Sequence, residues 1–239
     1  MKNEPENSGP TREELLRENA RLRGDLLTIA RRISHDLRTP LGGIATTSEV
    51  IREILEESSA ANAALIAPIL DSTDGMAKII ERVSFVLKAS AKSFPASRIK
   101  MGDAVFAALE RLESKILKSG ATIVQPDSWP EINGVAIWLE VVWWNLLANA
   151  LQHGKNPARV ELGWLAEKNK FRFWASDSGG AIPPEKIAKL FQPFHSLHEA
   201  DAAHGLGLPI VQRLMELQGG DCGYERATGG GRFYFTLPA

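Results

Sequence analysis

The chain has 239 residues, 44% of them hydrophobic and 24% charged, with a formal net charge of −1. That length allows one large domain or two small ones, and the balance is that of a globular protein, not a disordered or fibrous one. A net charge so near zero sets up no field favouring nucleic acid or a membrane surface, and a single cysteine, Cys222, excludes an internal disulfide.

Residues 1–11, MKNEPENSGPT, are polar with two prolines, which predicts a disordered tail. No apolar run reaches bilayer-spanning length, and the polar start does not resemble a secretion signal. A cytoplasmic protein without membrane insertion is expected, with Cys222 as buried filler in a reducing compartment. From residue 12, Leu15, Asn19, Leu22, Leu26, Ile29 and Ile33 fall on a heptad seam. A core asparagine such as Asn19 sets register in two-stranded coils, although a single amphipathic helix packed on its own chain reads the same way. The seam continues through Leu37, Leu41, Ile44, Ser48, Ile51 and Leu55, and polar ESSAAN at 57–62 predicts a turn. A second periodic run follows at Leu65, Ile69, Met76, Ile80, Val83 and Leu87. Residues 12–92 therefore predict a helical hairpin. One hairpin cannot bury both apolar faces, so a homodimeric four-helix bundle is expected.

SFPASRIK at 93–100 reads as a linker to a second domain, 101–239. There the pattern predicts a helix at 103–118 stopped by Gly120, a strand at 121–125 and a helix at 135–152. Strands at 158–166 and 171–177 flank a charged turn, Glu167–Lys170. A short helix from Pro183 or Pro184, an irregular stretch at 195–204 and a helix from near Leu208 follow. Two strands, 221–226 and 232–237, close the chain. The fold class is α+β, an α/β sandwich with helices on one face of a mixed sheet.

Three stretches carry chemistry. In RRISHDLRTPLGGI, residues 31–44, His35 lies two residues from both Ile33 and Leu37, about 200° round the helix, and so points to solvent. Arg38 and Thr39 share its face, while Pro40 withholds a backbone donor and should loosen the helix. Asp36 can hold the proton of one imidazole nitrogen and leave the other free as a nucleophile. A surface histidine beside a helix break has the same pattern, and a phosphate donor elsewhere would decide between them. In WWNLLANALQHG, Asn145 and Asn149 share a helix face, and an amide oxygen there suits Mg²⁺, though a structural hydrogen bond would also occupy it. In ASDSGGAIPPEKI, Asp177 ends a strand before glycines and could accept a bond from a base's exocyclic amine. HGLGLPIVQRL opens a helix with Gly205 and Gly207, whose backbone N–H groups could face phosphates.

The series SHDLRTPL, NLLANA, DSGGAIP, FQPF and GLGL, in this order over roughly residues 25–238, resembles the bacterial two-component sensor histidine kinases. These join a dimerisation and histidine-phosphotransfer hairpin to a Bergerat-type ATP-binding domain. The resemblance implies His35 as phosphoacceptor, Asp36 as its acid–base partner and Thr39 as the residue that orients water for dephosphorylation. It implies Asn149 as Mg²⁺ ligand with Asn145 on the phosphate side, Asp177 reading adenine, and Gly179 matching the first glycine after it. Phe191 and Phe194 match the aromatic box anchoring the lid, and Gly205 and Gly207 the phosphate cradle. With neighbouring Gln152, His153, Ile182, Leu206 and Leu208, these are the implied ATP contacts. A response regulator receiver domain would accept the phosphoryl group on an aspartate, docking near Ile44, Thr47 and Ile51. Input would arrive through residues 1–30, the hairpin or a separate sensory partner.

The chain departs from the family at Ala181 and Ala203, where glycines are usual, and at Gln152 and His153, where lysine and tyrosine are common. Those departures leave a second reading, a degenerate phosphotransfer or docking protein with weak or no ATP binding. His195, His198 and His204 lie in the lid with spacing too loose for a metal site.

Overall fold

The computed structural model describes residues 11–56, 64–91, 94–155, 157–192, 205–227 and 229–239. The predicted turn at 57–62 and the irregular stretch at 195–204 lie outside them. The chain divides into two compact units, the second beginning at Phe94.

The first unit is a helical hairpin. Helix α1 (Arg12–Glu56) runs on through Pro40, and a 3₁₀ turn (Ala64–Ile66) leads into α2 (Ala67–Ala91). On α1 the least exposed side chains include Ser34, Leu41, Ala45, Ser48, Arg52 and Leu55, at heptad spacing. On α2 they include Leu70, Thr73, Ala77, Ile80, Ser84 and Leu87. The two helices pack along these rows and Ser34 hydrogen-bonds Ser84 across the hairpin. The seam expected from the sequence is therefore split. Leu41, Ser48 and Leu55 turn inward, whereas Ile33, Leu37, Ile44 and Ile51 remain 41% to 52% exposed within one chain. Leu65, Ile69, Met76 and Val83 form a matching exposed row on α2.

The second unit is a two-layer α/β sandwich. Strand β1 (Ser97–Lys100) pairs antiparallel with β3 (Glu131–Gly134), Ile99 opposite Ile132, both buried. These strands correct the expected linker, since residues 97–100 belong to the folded unit and Phe94 packs edge-on against Trp138 at 5.1 Å. Four-residue strands paired over 30 positions leave no alternation long enough to read. Helix α3 (Met101–Ser119) buries Met101, Ala104, Val105, Ala108 and Leu112, one face of a 3.6-residue period. It stops at Gly120, whose φ of 62° and the Ala121 N–H to Ile116 carbonyl bond close the end in a Schellman arrangement.

The main sheet has order β2-β4-β5-β7-β6, comprising β2 (Thr122–Val124), β4 (Arg159–Glu167), β5 (Lys170–Asp177), β6 (Asp221–Ala227) and β7 (Gly230–Pro238). The β2–β4 pair is parallel and the rest antiparallel. The β4–β5 hairpin turns on Lys168 and Asn169, tightened by the Glu167–Lys170 ion pair at 3.2 Å. Helix α4 (Ala136–His153) is buried on most of its circumference, because α3, the sheet and α6 (Gly207–Glu216) all pack on it. Short α5 (Pro184–Ile187) starts on a proline, whose missing N–H costs nothing in a first turn. Trp143 centres the core, with ring centroids 5.3 Å from Phe235, 5.4 Å from Trp129 and 6.4 Å from Phe173. Its indole N–H donates to Met101 Sδ at 3.1 Å.

Candidate active site

The candidate side chains fall into two sets, one in each unit. On α1 the helical phase that turns Ser34 toward α2 turns His35 away from it, with its side chain 82% exposed. Its Nδ1 lies 3.1 Å from Asp36 Oδ1, and Asp36 Oδ2 lies 3.7 Å from Arg32 Nε. The carboxylate can only accept, so the bond selects the tautomer protonated on Nδ1 and leaves the Nε2 lone pair toward solvent. Thr39 stands one turn on, and its hydroxyl donates to the His35 carbonyl at 3.2 Å. Pro40, the next residue, has no N–H to offer the carbonyl of Asp36.

In the second unit Asp177 closes β5. Its Oδ1 accepts the Gly179 N–H at 2.7 Å, an Asx turn that reverses the chain. Burial pushes the Asp177 carboxyl above its ordinary value of 3.8, against the opposing pull of the Gly179 and Gly231 N–H groups and of His153. Gly179 is required by space. A Cβ there would lie 2.5 Å from the His153 carbonyl oxygen and 2.6 Å from Asp177 Oδ1. Gly230 is tighter, since a Cβ would sit 2.0 Å from the Asp177 carbonyl oxygen. The C-terminal end of α4, the end of β5 and the start of β7 thus meet at Asp177.

Helix α6 approaches the same α4. Asn145, 5% exposed, donates through Nδ2 to the Val141 carbonyl at 2.7 Å. Its Oδ1 would lie 2.9 Å from a Cβ on Gly207, so only glycine lets the start of α6 come this close. Asn149 is half-buried one turn toward the C-terminus of α4. Among the described residues no three His, Cys, Asp or Glu side chains gather as a metal cage. A divalent ion held here would rest on an amide oxygen and on oxygens of its ligand, the set Mg²⁺ prefers.

The structure brings Asp177, Gly179 and His153 together, and Asn145 with Gly207. Ile182 is buried at the end of the loop, its N–H donating to the Tyr224 hydroxyl at 2.9 Å. Gln152 is exposed, Leu206 is buried, and Gly205, Leu208 and Phe191 are half-buried. Ala181 is exposed, and its methyl closes no space needed by the fold. Phe194, Ala203, His195, His198 and His204 lie outside the described residues. Sequence reading does not single out Tyr224, Gly230 or Gly231. The run Gly229–Gly231 was a signal, but it reads equally as a plain hairpin turn. Cys222 is half-buried, and burial with the nearby Asp221 and Glu216 carboxylates pushes its thiol up to about 12, which fits inert filler.

Residues 25–89 match the His Kinase A (phospho-acceptor) domain, and residues 134–239 match the histidine kinase-, DNA gyrase B- and HSP90-like ATPase family. The methanogenesis regulatory histidine kinase FilI of Methanothrix harundinacea is 26% identical over 210 residues, covering 86% of this chain and 24% of that protein. The sensor protein TorS of Escherichia coli is 30% identical over 201 residues, covering 79% and 21%. The chain thus spans about a quarter of the length of these relatives. In fold it resembles full-length ShkA, solved with AMPPNP, at a TM-score of 0.69 and 24% identity over 88% of this chain and 45% of that one. It also resembles ThkA, solved with the response regulator protein TrrA, at 0.66 and 20% over 96% and 68%. An outward histidine on a helical hairpin, a half-buried aspartate among close-packed glycines and two family matches in chain order place this chain among the two-component sensor histidine kinases.

Proposed function

We propose that the chain is the phosphotransfer and catalytic portion of a sensor kinase, which autophosphorylates His35 from Mg-ATP and passes the phosphoryl group to an aspartate of a response regulator receiver domain. The observation that carries this is the exposed His35 imidazole tied through Nδ1 to Asp36. His35 Nε2 attacks the γ-phosphorus in line. The N–P bond forms as the bond to the β,γ-bridging oxygen breaks, and ADP leaves with that electron pair. Asp36 keeps the Nδ1 proton and stabilises the positive charge that develops on the ring.

In the second unit Asp177 would receive the adenine amine, with Asn145 and the start of α6 at Gly205, Gly207 and Leu208 facing the phosphates. Asn149 would hold Mg²⁺, which when bound neutralises charge on the phosphate oxygens. His153 in place of the family's more usual tyrosine keeps a polar group beside Asp177. ShkA, solved with AMPPNP, and ThkA, solved with its response regulator, support the nucleotide and the partner. Thr39, on the phosphoacceptor face, would orient water if the protein also dephosphorylates its partner. The exposed apolar rows of α1 and α2 support a homodimer closing a four-helix bundle.

Incubation with γ-labelled ATP and Mg²⁺ tests the reading. Acid-labile, alkali-stable label on the wild type that is absent from His35→Gln is expected. Wild-type protein that binds nucleotide but takes up no label overturns it, whereas no measurable ATP binding at millimolar concentration favours the docking reading.

A further inference from the structure

Between Asp177 and α5 the chain passes through Ser178, Gly179, Gly180, Ala181, Ile182 and Pro183. Pro183 and Pro184 carry no N–H, so the Ile182 amide is the last donor before α5 begins. It donates to the hydroxyl of Tyr224, 42 residues away on β6, at 2.9 Å. The ring that carries this hydroxyl runs over Gly231, where a Cβ would lie 2.8 Å from Tyr224 Cε2, and packs on Phe233 at 5.0 Å. Gly231 also pairs with Asp177 in the β5–β7 ladder. One residue of β7 thus serves both ends of the loop, pairing with Asp177 in the sheet and making room for Tyr224 with its missing side chain. Gly180, between the two anchors, has nothing within 4 Å of where a Cβ would stand.

We propose that Tyr224 is a positioning residue for the nucleotide, its hydroxyl fixing the far end of the Asp177–Ile182 loop through the Ile182 N–H so that the loop meets the base already ordered. This rests on the nucleotide reading of Asp177 given above. The Tyr224 ring touches no reacting atom. Its effect is entropic, since a loop tied at one end must be ordered by the ligand itself, at the ligand's expense.

The test is Tyr224→Phe, which keeps the ring over Gly231 and deletes only the hydroxyl. Tyr234→Phe, on the opposite face of the sheet, serves as control. In Tyr224→Phe the dissociation constant of a fluorescent ADP and the KM for ATP should rise about three- to tenfold, the effect of one hydrogen bond. The kcat at saturating ATP and the unfolding temperature should hold. In nucleotide-free protein the Ile182 amide should exchange with solvent faster in this variant than in the wild type. The control should move none of these. Equal affinity in Tyr224→Phe and wild type, or an Ile182 amide whose exchange is unchanged, overturns the inference and leaves the nucleotide reading standing. Wild-type protein that binds no nucleotide at all overturns both.

Discussion

Asp177 is the one carboxylate among the described residues held above its ordinary range, and the reason is its place. It sits at a strand end among backbone atoms, so leaving water costs the charged form more than the Gly179 N–H bond and the other favourable neighbours return. The folded protein therefore holds the Asp177 proton at pH values where the unfolded chain has lost it. Its contribution to stability is full below the ordinary value of 3.8 and is lost as pH rises through the raised folded value. Urea midpoints measured from pH 3.5 to 7 should show a fall over this window that Asp177→Asn flattens. The same variant should lower nucleotide affinity about tenfold or more, as loss of a charged acceptor does. A midpoint profile identical in variant and wild type would remove burial of Asp177 as the cause. At this scale His35 was legible in the sequence, because two residues of helix turn a side chain to the opposite face whatever the tertiary context. Tyr224 was not, since its bond to Ile182 joins residues 42 apart and neither belongs to a repeating pattern.

The elements divide along the same line. Long helices advertised themselves by period, and α4 by its apolar content, whereas β1 and β3 exist only because each finds the other. The outer face of the main sheet was equally silent. There Trp174 lies over Gly163 and Tyr234 over Gly223, and a Cβ would come within 2.3 Å of the indole at Gly163 and 2.6 Å of the phenol ring at Gly223. Arg232 stacks 4.8 Å from Trp174, Arg172 3.8 Å from Tyr234, and both arginines pair with Glu225. Aromatic rings lying flat over glycines and capped by paired arginines cover a sheet face that has no helix layer. Gly163→Ala forces Trp174 off that position and should cost about 1–3 kcal/mol, read as a lower urea midpoint, while nucleotide affinity holds because the pocket lies on the helix side. Gly180→Ala, with open space around it and no positive φ, should leave the midpoint unmoved. A Gly163→Ala protein as stable as the wild type would mean that the rings over the glycines can move at no cost.

For the whole molecule the decisive surface is the apolar row that the hairpin leaves bare. Ile69, Met76 and Val83 recur every seven residues on α2, beside Ile33 and Leu37 on α1, and each stays 39% to 52% exposed within one chain. Two such rows from two copies would bury each other, each large apolar side chain so covered contributing about 1.5–3 kcal/mol. The small buried residues Ser48, Thr73 and Ser84 bring α1 and α2 together without the bulk that would form a core in the hairpin alone. The heptad pattern announced a seam but could not say which of its positions face α2 and which face a second copy, because both lie on one wide apolar stripe. Sedimentation should therefore find a dimer. Met76→Lys combined with Val83→Lys sets charges on the row, seven residues apart, and should halve the sedimenting mass at micromolar concentration. The wild-type hairpin should unfold at a temperature that rises with protein concentration, and the variant's should not. Nucleotide binding by the second unit, which has its own core around Trp143, should survive the loss of the dimer. A variant that sediments as the wild type does would place the dimer contact elsewhere than on α2.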